Sequence, residues 1–155
     1  MAVRVQAEDF DMGAEVAALT AGRPSIGGVA SFLGLVRDVA GGAPVTAMTL
    51  EHYPGMTERQ LETIEAEARA RWPLDDVLII HRYGRLEPGD RIVLVVTASA
   101  HREAAFDACR FLMDWLKTKA PFWKLEDTPD GERWVAAKAS DDAAAARWAD
   151  DQSTR

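Results

Sequence analysis

Val77-Leu78-Ile79-Ile80-His81-Arg82-Tyr83 and Arg91-Ile92-Val93-Leu94-Val95-Val96-Thr97-Ala98-Ser99 are the two strongest strand segments of this 155-residue chain. Both are rich in β-branched residues, and the turn residues Glu87-Pro88-Gly89-Asp90 punctuate them. Directly downstream the period changes. From about Arg102 to Lys117 the apolar residues Ala105, Phe106, Cys109, Leu112, Met113 and Leu116 follow helical spacing. Pro121 biases Ala120 away from the helical region, so this helix is expected to end near Lys117–Lys119. Beyond it, Phe122–Asp127 and Arg133–Lys138 read as a hairpin around Pro129-Asp130-Gly131.

Upstream, residues 2–6 alternate as a short strand, and Asp11 is placed to cap a helix running to about Ala21, stopped by Gly22 and Pro24. Ile26–Val36 is a glycine-dotted strand, Asp38–Pro44 a flexible loop, and Val45–Tyr53 a further strand. Thr57 and Gln60 form a capping box ahead of a helical stripe of Leu61, Ile64, Ala68 and Trp72, which Pro73 closes. The order βαββαββαββ is an α+β pattern. The length suits one domain over residues 1–140. The alanine- and aspartate-rich segment 141–155 is expected to form a short helix and a partly disordered tail.

The composition, 48% hydrophobic and 28% charged, is that of an ordinary globular protein. There is no apolar run long enough to span a membrane and no apolar signal segment at the N-terminus, so a cytoplasmic protein without membrane association is expected. A net charge of −7 argues against non-specific nucleic-acid binding. The single cysteine, Cys109, excludes an intrachain disulfide or a cysteine zinc cluster. His52 and His81 lack metal-ligand spacing and read as structural residues, so no metal and no cofactor is expected.

Against that acidic background, Lys117-Thr118-Lys119-Ala120-Pro121-Phe122-Trp123-Lys124 stands out. From Arg110 to Lys124 there are four basic residues and one acid, Asp114. Such a positive island suggests a local anion site. The apolar Pro-Phe-Trp between the lysines could partly desolvate an ammonium. Lys117 equally fits an ordinary lysine at a helix C-terminus, and Lys124 a solvated strand lysine.

Ser99-Ala100-His101-Arg102 lies where a strand hands over to a helix, a position that suits anion binding or merely a helix cap. Arg37 ends a strand before a glycine loop, as a phosphate ligand or a solvated edge residue. If Arg102–Lys117 is one helix, its ends lie about 22 Å apart. His101 and Lys117 then cannot meet within one subunit unless they serve different ends of a long substrate. Otherwise a second subunit joins them, or one of them lies outside the site.

Four strings together resemble one family: Phe32-Leu33-Gly34-Leu35-Val36-Arg37, Leu50-Glu51-His52-Tyr53-Pro54-Gly55-Met56, Ala98-Ser99-Ala100-His101-Arg102, and Leu116 through Lys124. They are similar to the large, catalytic subunit of molybdopterin synthase, from about residue 3 to about Trp148. The resemblance implies an α/β hammerhead fold with an additional small antiparallel β subdomain. It implies a sulfurtransferase of molybdenum cofactor biosynthesis that converts cyclic pyranopterin monophosphate to the molybdopterin dithiolene.

The implied sulfur source is a small ubiquitin-like subunit with a C-terminal Gly-Gly thiocarboxylate. The implied assembly is a homodimer of this chain within a heterotetramer. Carried over by motif, Lys117 and Lys124 are the catalytic residues. Leu35, Val36, Arg37, His101, Arg102, Leu125 and Glu126 join them in binding substrate. The family often has a lysine where Leu35 stands and an arginine where Lys119 stands. In that family, His101 and Arg102 of one subunit approach the neighbour's site. The apparently buried Cys109 fits this scheme, because sulfur must then arrive from outside the chain.

Overall fold

The computed structural model describes residues 2–40, 42–135 and 139–153, with side chains in the last segment described over 142–149. In chain order the first elements are β1 (Val3–Gln6), α1 (Met12–Thr20), β2 (Gly28–Leu35), β3 (Val39–Ala40), β4 (Ala43–Pro44), β5 (Ala47–His52) and α2 (Met56–Arg71). There follow β6 (Asp76–Arg82), β7 (Gly84–Leu86), β8 (Arg91–Ser99), α3 (Arg102–Thr118), β9 (Phe122–Thr128), β10 (Gly131–Trp134) and α4 (Ala139–Ser153). The architecture is α+β, built on two four-stranded sheets.

The first sheet has the order β1-β6-β8-β2, with β1 parallel to β6 and the other pairs antiparallel. Alternation along β6 and β8 sends side chains to both faces, and both faces are covered. Val77, Ile79, Val93 and Val95 pack with Leu61 and Ile64 of α2 and with Ala105 and Leu112 of α3. Leu78, Ile80, Leu94 and Val96 pack on the other side with Phe10, Val16 and Leu19, so α1 closes that face. This double coverage explains why β6 and β8 read as nearly continuous apolar runs. Asp11 caps α1 as expected, accepting from the Ala14 N–H at 3.0 Å.

The second sheet is wholly antiparallel, in the order β10-β9-β5-β7. The chain enters it from the first sheet at Gly84, whose φ of 91° turns β6 into β7 and suits a residue without a side chain. Val36, Leu50 and Leu86 form a small core against this sheet.

Three local expectations are corrected. The segment Asp38–Pro44 is more than a loop, because β3 and β4 pair within it. More than the turn Glu87–Asp90 separates the two strong strands, because β7 lies between them and pairs with β5 of the other sheet, too short to show an alternating pattern. The start of α2 is capped by Gly55 and Glu58 rather than by Thr57 and Gln60: the Glu58 carboxylate accepts from the Gly55 N–H at 2.5 Å. Thr57 is instead buried inside the first turn, where its hydroxyl donates to the Tyr53 carbonyl at 2.8 Å. The hairpin at Pro129-Asp130-Gly131 is present as β9–β10, while Lys138, expected at its far end, lies outside the described residues.

Candidate functional site

The lysine stretch bridges two elements. α3 ends at Thr118 with Lys119 as its cap, and β9 starts at Phe122. Only Lys119, Ala120 and Pro121 intervene, and the Phe122 N–H donates to the Ala120 carbonyl at 2.8 Å. Lys117 is exposed on the last turn of α3. Lys124 is half-buried in β9, opposite Leu50 of β5. Cross-strand partners share a face, so Lys124 stands on the side of the sheet where Leu50 meets Val36. Glu126, two residues on, pairs with Met48 on that same face.

The three-residue link between α3 and β9 leads directly into a stack on one buried group, His81. The imidazole of His81 is 6% exposed and lies 3.7 Å from the Phe122 ring at an interplanar angle of 13°. Its Nδ1 donates to the Arg82 carbonyl at 2.8 Å. Burial, followed by the positive fields of Lys124, Lys117 and His52, pushes its pKa down to about 3, although the bond to Arg82 opposes this. Burial therefore keeps His81 a neutral imidazole.

His52 completes the cluster, 4.6 Å from Tyr83 and 6.0 Å from Phe122. The Thr57 hydroxyl already gives its proton to Tyr53, so the His52 Nδ1 at 3.2 Å from Thr57 Oγ1 is the donor of that pair. The sequence marks both histidines as structural residues but not where they sit. Single histidines carry no spacing signal, and only the fold brings them beside the lysines.

Leu35 ends β2 beyond a register shift and is 49% exposed, whereas Val36 is buried. Arg37 is exposed and donates to the Val39 carbonyl at 3.1 Å. It lines an open depression of about 650 Å³ with Val36, Asp38, Val39, Pro88 and Gly89. Leu125 is half-buried on the sheet face opposite Lys124 and pairs with Thr49. Glu126 is 3% exposed, and its Oε2 accepts no hydrogen bond among the described residues. The Arg133 guanidinium stands 3.6 Å from that oxygen and donates to the Ala40 carbonyl at 2.9 Å, tying β10 to the β3–β4 hairpin beside Arg37.

The fold thus sets Lys124 and Glu126 on the sheet face where Leu50 meets Val36, with Arg37 next in the chain after Val36 and Lys117 one short link before β9. It does not bring His101 or Arg102 to them. These two are exposed at the opposite end of α3, an uninterrupted helix of 17 residues and so about 25 Å long.

Cys109 is buried on α3, and loss of solvation raises its thiol pKa to about 11. No helix among the described residues is long and apolar enough to cross a membrane.

The profile of the family described as MoaE protein matches residues 5–119. A molybdopterin synthase catalytic subunit from Pseudomonas aeruginosa is 60% identical, covering 96% of this chain and 99% of its own. One from Ralstonia nicotianae is 60% identical over 94% of this chain and 83% of its own. Among solved structures, the molybdopterin biosynthesis MoaE protein from Burkholderia ambifaria superposes with a TM-score of 0.81 at 61% identity, covering 96% of this chain and 99% of that one. Molybdopterin synthase from Staphylococcus aureus gives 0.78 at 29% identity, over 86% and 96%.

Proposed function

Because the chain belongs to the MoaE protein family, we propose that Lys117 and Lys124 are the reacting cations of its active centre. The protein is an enzyme of sulfur transfer in molybdopterin synthesis. The observation that supports this centre is the three-residue link that joins the helix end bearing Lys117 to the strand bearing Lys124, beside the buried His81–Phe122 stack.

The substrate in this reading is cyclic pyranopterin monophosphate. Sulfur comes from the C-terminal thiocarboxylate of a small Gly-Gly-ended subunit, and the buried Cys109 thiol supplies none. Arg37 binds the phosphate, with Leu35, Val36, Leu125 and Glu126 lining the substrate surface. Attack by the thiocarboxylate sulfur and opening of the cyclic phosphate both develop negative charge. Lys117 and Lys124 stabilise that charge, and either ammonium can return a proton to a leaving oxygen.

His101 and Arg102 act from a second copy of the chain, since the length of α3 keeps them from Lys117 within one. The working assembly is then a homodimer carrying one small subunit at each end. The reaction runs in the cytoplasm, and residues 1–140 form the single domain that carries it, with α4 packed on its core through Trp148.

Reconstitution from this chain, the thiocarboxylated small subunit and purified pterin tests the reading. Dithiolene product forms with the native chain and is abolished by Lys117→Ala, with folding and small-subunit binding retained. Near-native turnover in that variant overturns the assignment.

A further inference from the structure

We propose that His81, through its stack on Phe122, is the positioning residue that fixes Lys117 and Lys124 relative to each other. This rests on the reading of those lysines as the reacting pair. The link between them is short: Lys119, Ala120 and Pro121 join the end of α3 to the start of β9. Its internal bonds, Lys119 N–H to Trp115 O at 2.8 Å and Phe122 N–H to Ala120 O at 2.8 Å, hold it to itself. Neither bond holds it to the rest of the molecule.

The His81–Phe122 stack does, together with the β5–β9 ladder that ends at the His52–Phe122 pair. Phe122 is the first residue of β9 in the second sheet, and His81 lies near the end of β6 in the first. The two rings, 3.7 Å apart and nearly parallel, pin one sheet to the other at the point where the chain leaves Lys117 and approaches Lys124. His81 shares its sheet face with Ile79 and Val77, the face on which α3 packs. The ring thus abuts β9, which carries Lys124, and stands on the sheet face that α3, which carries Lys117, covers.

The choice of imidazole has a physical reason. Its Nδ1–H bond to Arg82 fixes the ring plane, and its neutrality adds no charge to the field of Lys117 and Lys124. An apolar ring could stack equally well but would leave the Arg82 carbonyl without that donor. A permanent cation would repel both lysines.

Misplacing a reacting group by about 1 Å can cost up to ~100-fold in rate. His81→Ala is therefore expected to lower kcat by about ten-fold or more, with KM for the pterin and affinity for the small subunit within about two-fold. His81→Phe, which keeps an aromatic face, should recover kcat to within about three-fold of native. Phe122→Leu should repeat the His81→Ala defect, and the double variant should be no worse than either single one, because both remove the same contact. Phe122 is only half-buried, so this variant carries the test if His81→Ala does not fold.

Native kcat in folded His81→Ala or Phe122→Leu, or additive losses in the double variant, overturns the proposal. Lys117→Ala is measured alongside. If it is inactive while His81→Ala and Phe122→Leu turn over normally, only the positioning role fails. If Lys117→Ala itself is active, the underlying lysine assignment fails, and the positioning role with it.

Discussion

A Cβ on Gly27 would lie 2.1 Å from the carbonyl oxygen of Ala100, so the two backbones touch where β2 begins and β8 ends. The Gly27 N–H donates to Ser99 O at 2.9 Å in the same contact. Gly27→Ala must push backbone against backbone, with no flexible side chain to yield. We expect a loss of about 2 kcal/mol or more in urea unfolding. The displaced turn carries His101 and Arg102, so weaker pterin binding should accompany it.

A mixed-subunit experiment tests the shared site. Arg102→Ala and Lys117→Ala are each expected to be inactive as homodimers. A mixed dimer holds one site with both native residues. Random mixing should restore roughly a quarter of native activity. Absence of any restoration, with mixed dimers verified by mass, would mean that His101 and Arg102 act elsewhere.

His81 predicts acid sensitivity. Its folded pKa of about 3 lies below the ordinary value of 6.5. Between those values the unfolded chain binds a proton that the folded chain refuses, so stability rises with pH through that window and falls on acidification. The slope approaches 1.4 kcal/mol per pH unit, as an order of magnitude. In His81→Phe this component should vanish. Denaturation curves from pH 7 to pH 4 compare the two slopes, and equal slopes would contradict the burial of a neutral imidazole.

Cys109 should resist alkylation. Its thiol, raised to about 11 and buried, presents almost no thiolate at pH 8. Iodoacetamide should leave the native chain unlabelled and modify it once unfolded in urea. Rapid native labelling would reopen Cys109 as a sulfur carrier.

Trp148 ties α4 to the core. Its ring lies 5.6 Å from both Trp72 and Phe111, and its Nε1 donates to Asp114 at 2.6 Å. Arg71 spans this cluster, 4.5 Å over Phe111 and donating to the Trp148 carbonyl at 3.1 Å. Trp148→Ala should cost about 2 kcal/mol, below the range for a fully buried tryptophan. The midpoint of urea unfolding measures it.

The sequence disclosed elements whose signal is local. Asp11 announces α1 because an aspartate cap needs only the next turn. The apolar runs of β6 and β8 announce strands because both of their faces are buried. The α2 cap was misread by two residues because Thr57 offers the same hydroxyl to a cap as to the buried bond it makes with Tyr53. β7 and the β3–β4 pair are two or three residues long, too short for any period to emerge. Of the candidate site, the lysine string and Arg37 were visible as charges out of place in an acidic chain. The partition of strands between two sheets was not, and with it went the meaning of His81. That residue matters for what the fold stacks on it, and Phe122 is 41 positions away in the chain.

The unbroken length of α3 has a geometric consequence for the proposed dimer. In the shared-site arrangement each α3 belongs to two reaction centres at once, its first turn to the partner's and its last turn to its own. The helix then gauges the spacing of the two centres, at about 25 Å. Removing one residue from its middle would shorten that gauge by only about 1.5 Å, but would rotate Lys117 about 100° around the axis relative to Arg102. The phase of the helix, more than its length, is what the two centres constrain.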